Sequence, residues 1–505
     1  MSLIPHPKQI RHGAGQFDLP VLLTLGLDLA APQAAIKDWL DRFANRSWLA
    51  KADVGFEPTE ESSSASVLLK TKPELAPESY ELVIESHGIQ VLAGGDDFSS
   101  WKSGWQYGLQ SLAQLIWDSR RQGNASLACQ QIIDGPQFSW RGMHLDVCRH
   151  FFDVEFVKRL LDLMAIHKLN RFHWHLTEDQ GWRLEIPSRE RLAEISAWRR
   201  AEDGSKYGGY YTRADVLEVV QYAADRSIQV VPEIELPGHS VAALAAYPEL
   251  ACQPDEFQVE TNWGVFDDVY CAGNEATFEF LQEVMDYVIE LFPGDVIHLG
   301  GDECPKTRWQ ECPKCQARMK AEGLQDEEQL QSYFVQRMVN YLADRGRRAI
   351  GWDEILEGGL APGAMVMSWR GHTGGVAAAK MGHKVVMAPT SHCYFDFRQS
   401  DDPDEMGFHG VNTLRDVFDF QPIPSELSAE EAKHILGGQA NIWTERQLYK
   451  AENVEYMVVP RICALAEVLW GHPNPASADW NAFQQRLIPH VDLLSEIGYR
   501  GRPLS

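Results

Sequence analysis

Val296-Ile297-His298-Leu299-Gly300-Gly301-Asp302-Glu303 is the stretch on which the reading of this chain turns. A short apolar run reads as a buried strand, two glycines close it, and two adjacent carboxylates follow. Successive strand residues point to opposite faces, but glycine frees the backbone at the strand's end. Asp302 and Glu303 can therefore reach one mouth. Such a pair suits chemistry that needs a proton donor beside a group stabilising a developing cation. Taken alone, an Asp-Glu pair is far more often a solvated acid pair in a turn, so the decision rests on its surroundings.

The same unit recurs. Strand-like segments at 140–146, 171–176, 229–235, 296–300, 349–354, 364–369, 384–388 and 435–443 each end in polar or aromatic residues. Amphipathic helical patterns at 154–167, 213–224, 277–291 and 330–344 fall between them. Strand–helix alternation implies parallel pairing through crossover helices. Eight such units predict an α/β fold, a (β/α)8 TIM barrel. The piece between the sixth and seventh strands leaves little room for a standard helix, and 480–494 reads as a closing helix. Residues 1–133 differ: short strands at 66–70, 80–84 and 89–93 and a helix over 101–116 predict a smaller non-catalytic α+β domain. Glu60-Glu61-Ser62-Ser63-Ser64 reads there as a solvated loop. The expected division is 1–133 and 134–505.

Composition narrows the partners. A formal charge of −26 over 505 residues excludes a nucleic-acid backbone as the natural partner. No run approaches the roughly 20 apolar residues of a membrane helix, and Val21 to Leu27 lacks the cleavage pattern of a signal core. A cytoplasmic, non-membrane protein is expected, of unstated oligomeric state. Sixteen tryptophans are many for this length, and tryptophan faces suit sugar rings as well as cores. Cys312 and Cys315 form a C-x-x-C with Cys304 upstream, but a zinc site needs a fourth ligand and usually a second pair. The nine cysteines therefore read as free thiols in a reducing compartment, and no metal or cofactor is expected.

Barrel active sites lie at the C-terminal strand ends, and reactive residues gather there. The first strand carries Arg141 and leads to Asp146 and Arg149. The second ends at His173 and His175 with Glu178 and Asp179, the third at Glu233 and Glu235 with His239. Asp302 and Glu303 follow, then Trp352, Asp353 and Glu354, then Trp369 and Arg370. Tyr394 and Asp396 follow the seventh strand, Trp443 and Glu445 the eighth.

In combination, WRGMHLDVCRH (140–150), HWHLTEDQGWR (173–183), ELPGH (235–239) and HLGGDE (298–303) resemble the family 20 β-N-acetylhexosaminidases over nearly the whole chain. The resemblance implies an exo-acting, retaining glycosidase that acts on β-linked GlcNAc or GalNAc, with the substrate's own 2-acetamido oxygen as nucleophile. By matching position, Glu303 would be general acid and then base, and Asp302 would orient the acetamido N–H. Tyr394 would donate to the acetamido carbonyl. Trp352, Trp369 and Trp443 would wall the sugar, Arg141 would grip its 3- and 4-hydroxyls, and Asp396 and Glu445 would accept from the 4- and 6-hydroxyls. Asp179 and His239 would tune the acid, although Glu178 stands where the family usually has a first Asp.

Three other readings remain open on the residues themselves. His173 and His175, with His239 and Asp302, fit a metal-dependent hydrolase. Glu235 or Asp146 would serve as nucleophile in a two-carboxylate glycosidase. A catalytically silent sugar-binding protein would have lost an acid, yet Asp302, Glu303 and Tyr394 are all present.

Overall fold

The computed structural model describes residues 3–29, 34–60, 64–201, 203–471 and 479–504. Residues 61–63 of the expected acidic loop lie outside them.

The eight expected segments form a closed, wholly parallel barrel in chain order: β1 (Trp140–Asp146), β2 (Arg171–His175), β3 (Gln229–Glu233), β4 (Val296–His298), β5 (Arg348–Trp352), β6 (Met365–Ser368), β7 (Val385–Met387) and β8 (Ile435–Ala440). β8 closes onto β1 with Gly437 opposite Trp140 and Gly438 opposite Arg141. These strands are buried on both faces, as a parallel sheet under helices must be, so they read as apolar runs. The connecting helices are specified locally. Asp153 caps Val154–Ile166 by accepting from the Phe156 N–H at 2.9 Å. Thr212 and Asp215 cap Arg213–Asp225 reciprocally. The short sixth connection holds an eight-residue helix, Thr373–Lys380.

Inside the barrel, Trp140, Val231, Val296, Ile350, Met365, Met367 and Val386 form an apolar layer with Trp352. Met143 and Leu145 pack instead into the outer core beneath the helices. That alternation fixes the faces of β1: residue 140 points in, so Arg141 points out.

Before the barrel lies a mixed seven-stranded sheet in the order Gln9–Asp18, Ser126–Asp134, Tyr80–Glu85, Gly88–Ala93, Val67–Thr71, Leu23–Leu27, Phe56–Pro58. The helix Phe98–Arg121 packs on it, started by Asp97 accepting from the Ser100 N–H at 2.8 Å. The segment tested as a signal core is therefore largely a buried strand, Leu23–Leu27.

This α+β layer meets the N-terminal end of the barrel through a buried polar cluster. Lys168 Nζ reaches Asp134 at 3.2 Å, Tyr80 at 2.9 Å and Ser111 at 3.0 Å. Arg141 belongs here. Its guanidinium pairs with Glu78 at 2.8 Å and donates to Tyr107 Oη and to the carbonyls of Phe138 and Lys168. The expected sugar-gripping place for Arg141 is therefore corrected. An outward-facing residue at the beginning of a strand lands opposite the mouth and joins the two halves. No helix among the described residues is long and apolar enough to cross a membrane.

Candidate active site

At the C-terminal ends of the barrel strands, a pocket of about 210 Å3 opens. His239, Asp302, Glu303, Trp352, Trp369, Tyr394, Asp396, Trp443 and Glu445 line it, and so does Arg149. The chain reaches this mouth by leaving the left-handed region empty of side-chain clash at Gly300 and Gly301, which have φ of 65° and 96°. A Cβ on Gly300 would stand 1.7 Å from Glu235 Oε2, so only glycine turns here. The strain continues beyond the glycines. Glu303 at φ 44°, His239 at 47° and Arg446 at 56° are left-handed without being glycine, a conformation that costs of order 1–3 kcal/mol each.

Asp302 and Glu303 face different surroundings. The Asp302 side chain is 12% exposed and that of Glu303 43%. Asp302 Oδ1 has no hydrogen-bond partner among the described residues. Burial, with the Asp302 charge beside it, raises the Glu303 carboxyl above the ordinary carboxylate range. His239 Nε2 sits 3.6 Å from Asp302 and 3.7 Å from Glu303. Its Nδ1 faces Glu178 at 2.7 Å and Asp179 at 3.1 Å. Burial alone would lower the imidazole pKa, but Glu178, Asp179 and Asp302 together raise it well above the usual histidine range. Asp179 also accepts from the Val241 N–H at 2.9 Å, and burial pushes its carboxyl up to about 6. Asp179 thus stands behind His239, outside the pocket lining.

The walls are held by carboxylates underneath. Trp352 donates its indole N–H to Glu233 at 2.9 Å, and Trp369 donates to Glu354 at 2.9 Å. Trp369 and Tyr394 lie nearly parallel, 6.0 Å between ring centres. Burial, then the Asp396 charge, raises the Tyr394 phenol well above its usual value, so it stands as a hydroxyl donor. Asp396 Oδ1 has no partner among the described residues. Burial first and Glu445 next push the Asp396 carboxyl up to about 8.

Arg149 is the residue that the strand-end reading left without a role. It follows β1 at the mouth, its Nη2 is 3.0 Å from Glu178 and 3.9 Å from Glu445, and it lies 5.1 Å from the centre of the Trp443 ring. Its Nη1 faces Asp146 at 3.5 Å, and neither Nε nor Nη1 makes a hydrogen bond among the described residues. The signal was its place just beyond a strand's C-terminal end, inside the same motif as Arg141. Glu233 and Glu354 shared that strand-end position, but nothing local showed that their work is to orient indoles contributed by other strands.

Of the residues in the rival readings, His239 and Asp302 line the pocket, and the others lie elsewhere. His173 and His175 turn onto Glu233, at 2.9 Å and 2.5 Å, beneath the pocket rather than in its lining. Glu235 is buried under the Gly300 turn, and burial with Asp302 nearby raises its carboxyl far above the ordinary range. Asp146 accepts from the backbone N–H groups of Cys148 and Arg149 at 2.8 Å and 3.1 Å. It braces the loop and does not line the pocket.

Barrel and pocket together define a class, the (β/α)8 barrels whose reactive carboxylates stand in a tryptophan-walled mouth. The sequence pattern of glycosyl hydrolase family 20, catalytic domain, matches residues 138–473, and that of glycosyl hydrolase family 20, domain 2, matches residues 1–135. The chain belongs to glycosyl hydrolase family 20. It is 43% identical over 496 residues to a beta-hexosaminidase of Porphyromonas gingivalis, covering 96% of this chain and 62% of that protein. The chain thus spans less than two thirds of that relative's length. Among solved structures, it is similar to an exo β-N-acetylglucosaminidase from Vibrio harveyi in complex with N-acetylglucosamine, with TM-score 0.87, 30% identity, and coverage of 99% of this chain and 78% of that one. A β-N-acetylhexosaminidase from Bacteroides fragilis aligns with TM-score 0.85 and 30% identity, covering 99% and 97%.

Proposed function

We propose that the protein is an exo-acting, retaining β-N-acetylhexosaminidase that removes terminal non-reducing β-linked GlcNAc or GalNAc, using the substrate's 2-acetamido group as nucleophile. One observation carries the reading. A buried Asp302 with an oxygen unpartnered among the described residues stands beside a half-exposed Glu303 of raised pKa, in a pocket that also presents the Tyr394 hydroxyl. The complex of the Vibrio harveyi relative with N-acetylglucosamine supports the choice of sugar.

In the first step the acetamido oxygen attacks the anomeric carbon as the glycosidic C–O bond breaks. Glu303, protonated, gives its proton to the leaving oxygen. Asp302 accepts the acetamido N–H as positive charge grows on that nitrogen, and Tyr394 donates to the acetamido oxygen. Trp352, Trp369 and Trp443 exclude water, which keeps the internal nucleophile ahead of solvent. In the second step Glu303, now a carboxylate, takes a proton from water as that water opens the oxazolinium ring at the anomeric carbon. Two displacements return the β configuration. His239, held protonated by Glu178 and Asp179, positions the acid pair. Arg149 takes the hydroxyl-gripping role expected of Arg141, opposite Asp396 and Glu445.

Following the newly released sugar by NMR tests this account. The first product seen from an aryl N-acetyl-β-glucosaminide is expected to be the β anomer. First appearance of the α anomer would overturn the retaining mechanism.

A further inference from the structure

Four of the nine cysteines converge at one place. Cys252, Cys271, Cys312 and Cys315 bring their sulfurs within 4.8 Å of one another. Cys252 and Cys315 are 3.7 Å apart, Cys271 and Cys315 3.7 Å, and Cys271 and Cys312 3.8 Å. A zinc ion holding four thiolates at ~2.3 Å in a regular tetrahedron sets sulfurs about 3.8 Å apart. A disulfide would need about 2.05 Å. The spacing is that of a shared central ligand.

We propose that these four cysteines hold a structural zinc ion. The C-x-x-C alone lacked its second pair, and the fold supplies it from a distant segment. Cys312 precedes the helix Pro313–Glu322, with Cys315 in its first turn. Cys252 and Cys271 lie on the paired backbone around Ala251 and Tyr270, where the Cys271 N–H donates to the Leu250 carbonyl at 2.9 Å. Gly273 lets the two segments touch: a Cβ there would be 2.1 Å from the Lys314 carbonyl carbon and 2.4 Å from the Cys315 nitrogen. Cys271, Cys312 and Cys315 are buried and Cys252 is partly so, which leaves a closed site with no open position for water. Four soft thiolates in tetrahedral array select zinc over harder cations, and four filled positions mark a structural rather than a catalytic ion.

The site has a job that its location defines. Cys252 and Cys271 belong to the long connection after β3, which carries His239. Cys312 and Cys315 belong to the connection after β4, which carries Asp302 and Glu303. A zinc ion here clips together the two loops that bring histidine and acids into contact. The proposal concerns metal content and stability, and stands whether or not the proposed activity is right.

The test is elemental analysis of the protein purified without added metal, with thiols counted after denaturation. Zinc at one ion per chain is expected, with nine reactive thiols once the metal is chelated. Displacement of zinc by a mercurial should release that ion and lower Tm. Cys315→Ser and Cys252→Ser should each lose most of the zinc. Cobalt in the same site should give thiolate-to-metal charge-transfer absorption. Nine thiols with no bound metal, five thiols from two disulfides, or iron in place of zinc would each overturn the proposal. The parent protein alone decides these outcomes, so a variant that fails to fold does not shelter it.

Discussion

Arg141 and Arg149 stand at opposite ends of the same barrel strand, both buried, in opposite states of satisfaction. At the closed end Arg141 has Glu78, Tyr107 and two carbonyls around it, and every neighbour is protein. At the open end Arg149 keeps Nε and Nη1 without hydrogen-bond partners, and Asp302 and Asp396 each keep an oxygen free among the described residues. Leaving a buried polar group unpaired costs about 1–3 kcal/mol. Arg141 escapes that cost, whereas Arg149, Asp302 and Asp396 carry it; left-handed residues occur at both ends, Glu78 and Lys168 beside Arg141 and His239, Glu303 and Arg446 at the mouth. Unmet hydrogen bonding, rather than backbone strain, separates the two arginines, and it lies where a ligand completes the structure.

The contrast breaks most sharply at Glu303. Glu303→Gln is expected to lower kcat/KM for a substrate with a poor leaving group by about 10²- to 10⁴-fold, the usual value of acid–base catalysis, with Tm little changed. Steady-state kinetics beside a thermal melt would check both halves. Arg141→Ala should do the reverse. Removing one partner of a buried ion pair costs roughly 3–5 kcal/mol, read as a lower denaturation midpoint, while kcat/KM of the folded fraction stays near the parent's. If that variant loses substrate affinity at full stability, the closed end is not purely structural.

Arg149→Lys sharpens the comparison at smaller scale. It keeps the charge facing Glu178 and loses the fork of donors, so kcat/KM should fall about 10- to 100-fold, the worth of one or two charged hydrogen bonds. The smallest effect is on pH dependence. Burial and Glu445 push the Asp396 carboxyl up to about 8, whereas an unfolded aspartate titrates near about 3.9. The native state then holds the extra proton between those values. Stability from this group is complete below the lower pKa and is lost as pH rises through the upper one. Asp396→Asn cannot ionise, so its Tm relative to the parent should climb between about pH 5 and 8.

Much of this was written in the chain, and what was not shares one physical cause. The eight barrel strands stood out as apolar segments ending in charged or aromatic residues. So did the acids at 302 and 303, because a strand end followed by two glycines is a local pattern. Arg141 was misplaced since proximity to a motif does not reveal which face or end of a strand a residue takes; that depends on Trp140 facing inward. The edge strand Gln9–Asp18 escaped because its residues are almost all exposed and show no apolar alternation. Cys252 and Cys271 gave no sign of joining Cys312 and Cys315, because only the approach at Gly273 connects them. Glu233 and Glu354 stood out as strand-end acids, but their role did not. A carboxylate that orients an indole from another strand is visible only once the strands are side by side.

The internal nucleophile is the centre of this account, and one paired assay addresses it. Initial rates would be measured for matched aryl β-glycosides that differ only at carbon 2, one with the acetamido group and one with a hydroxyl. Turnover confined to the acetamido sugar, lost in Glu303→Gln, is the predicted result. Comparable turnover of the plain glucoside would contradict it, because that substrate has no acetamido oxygen to attack the anomeric carbon.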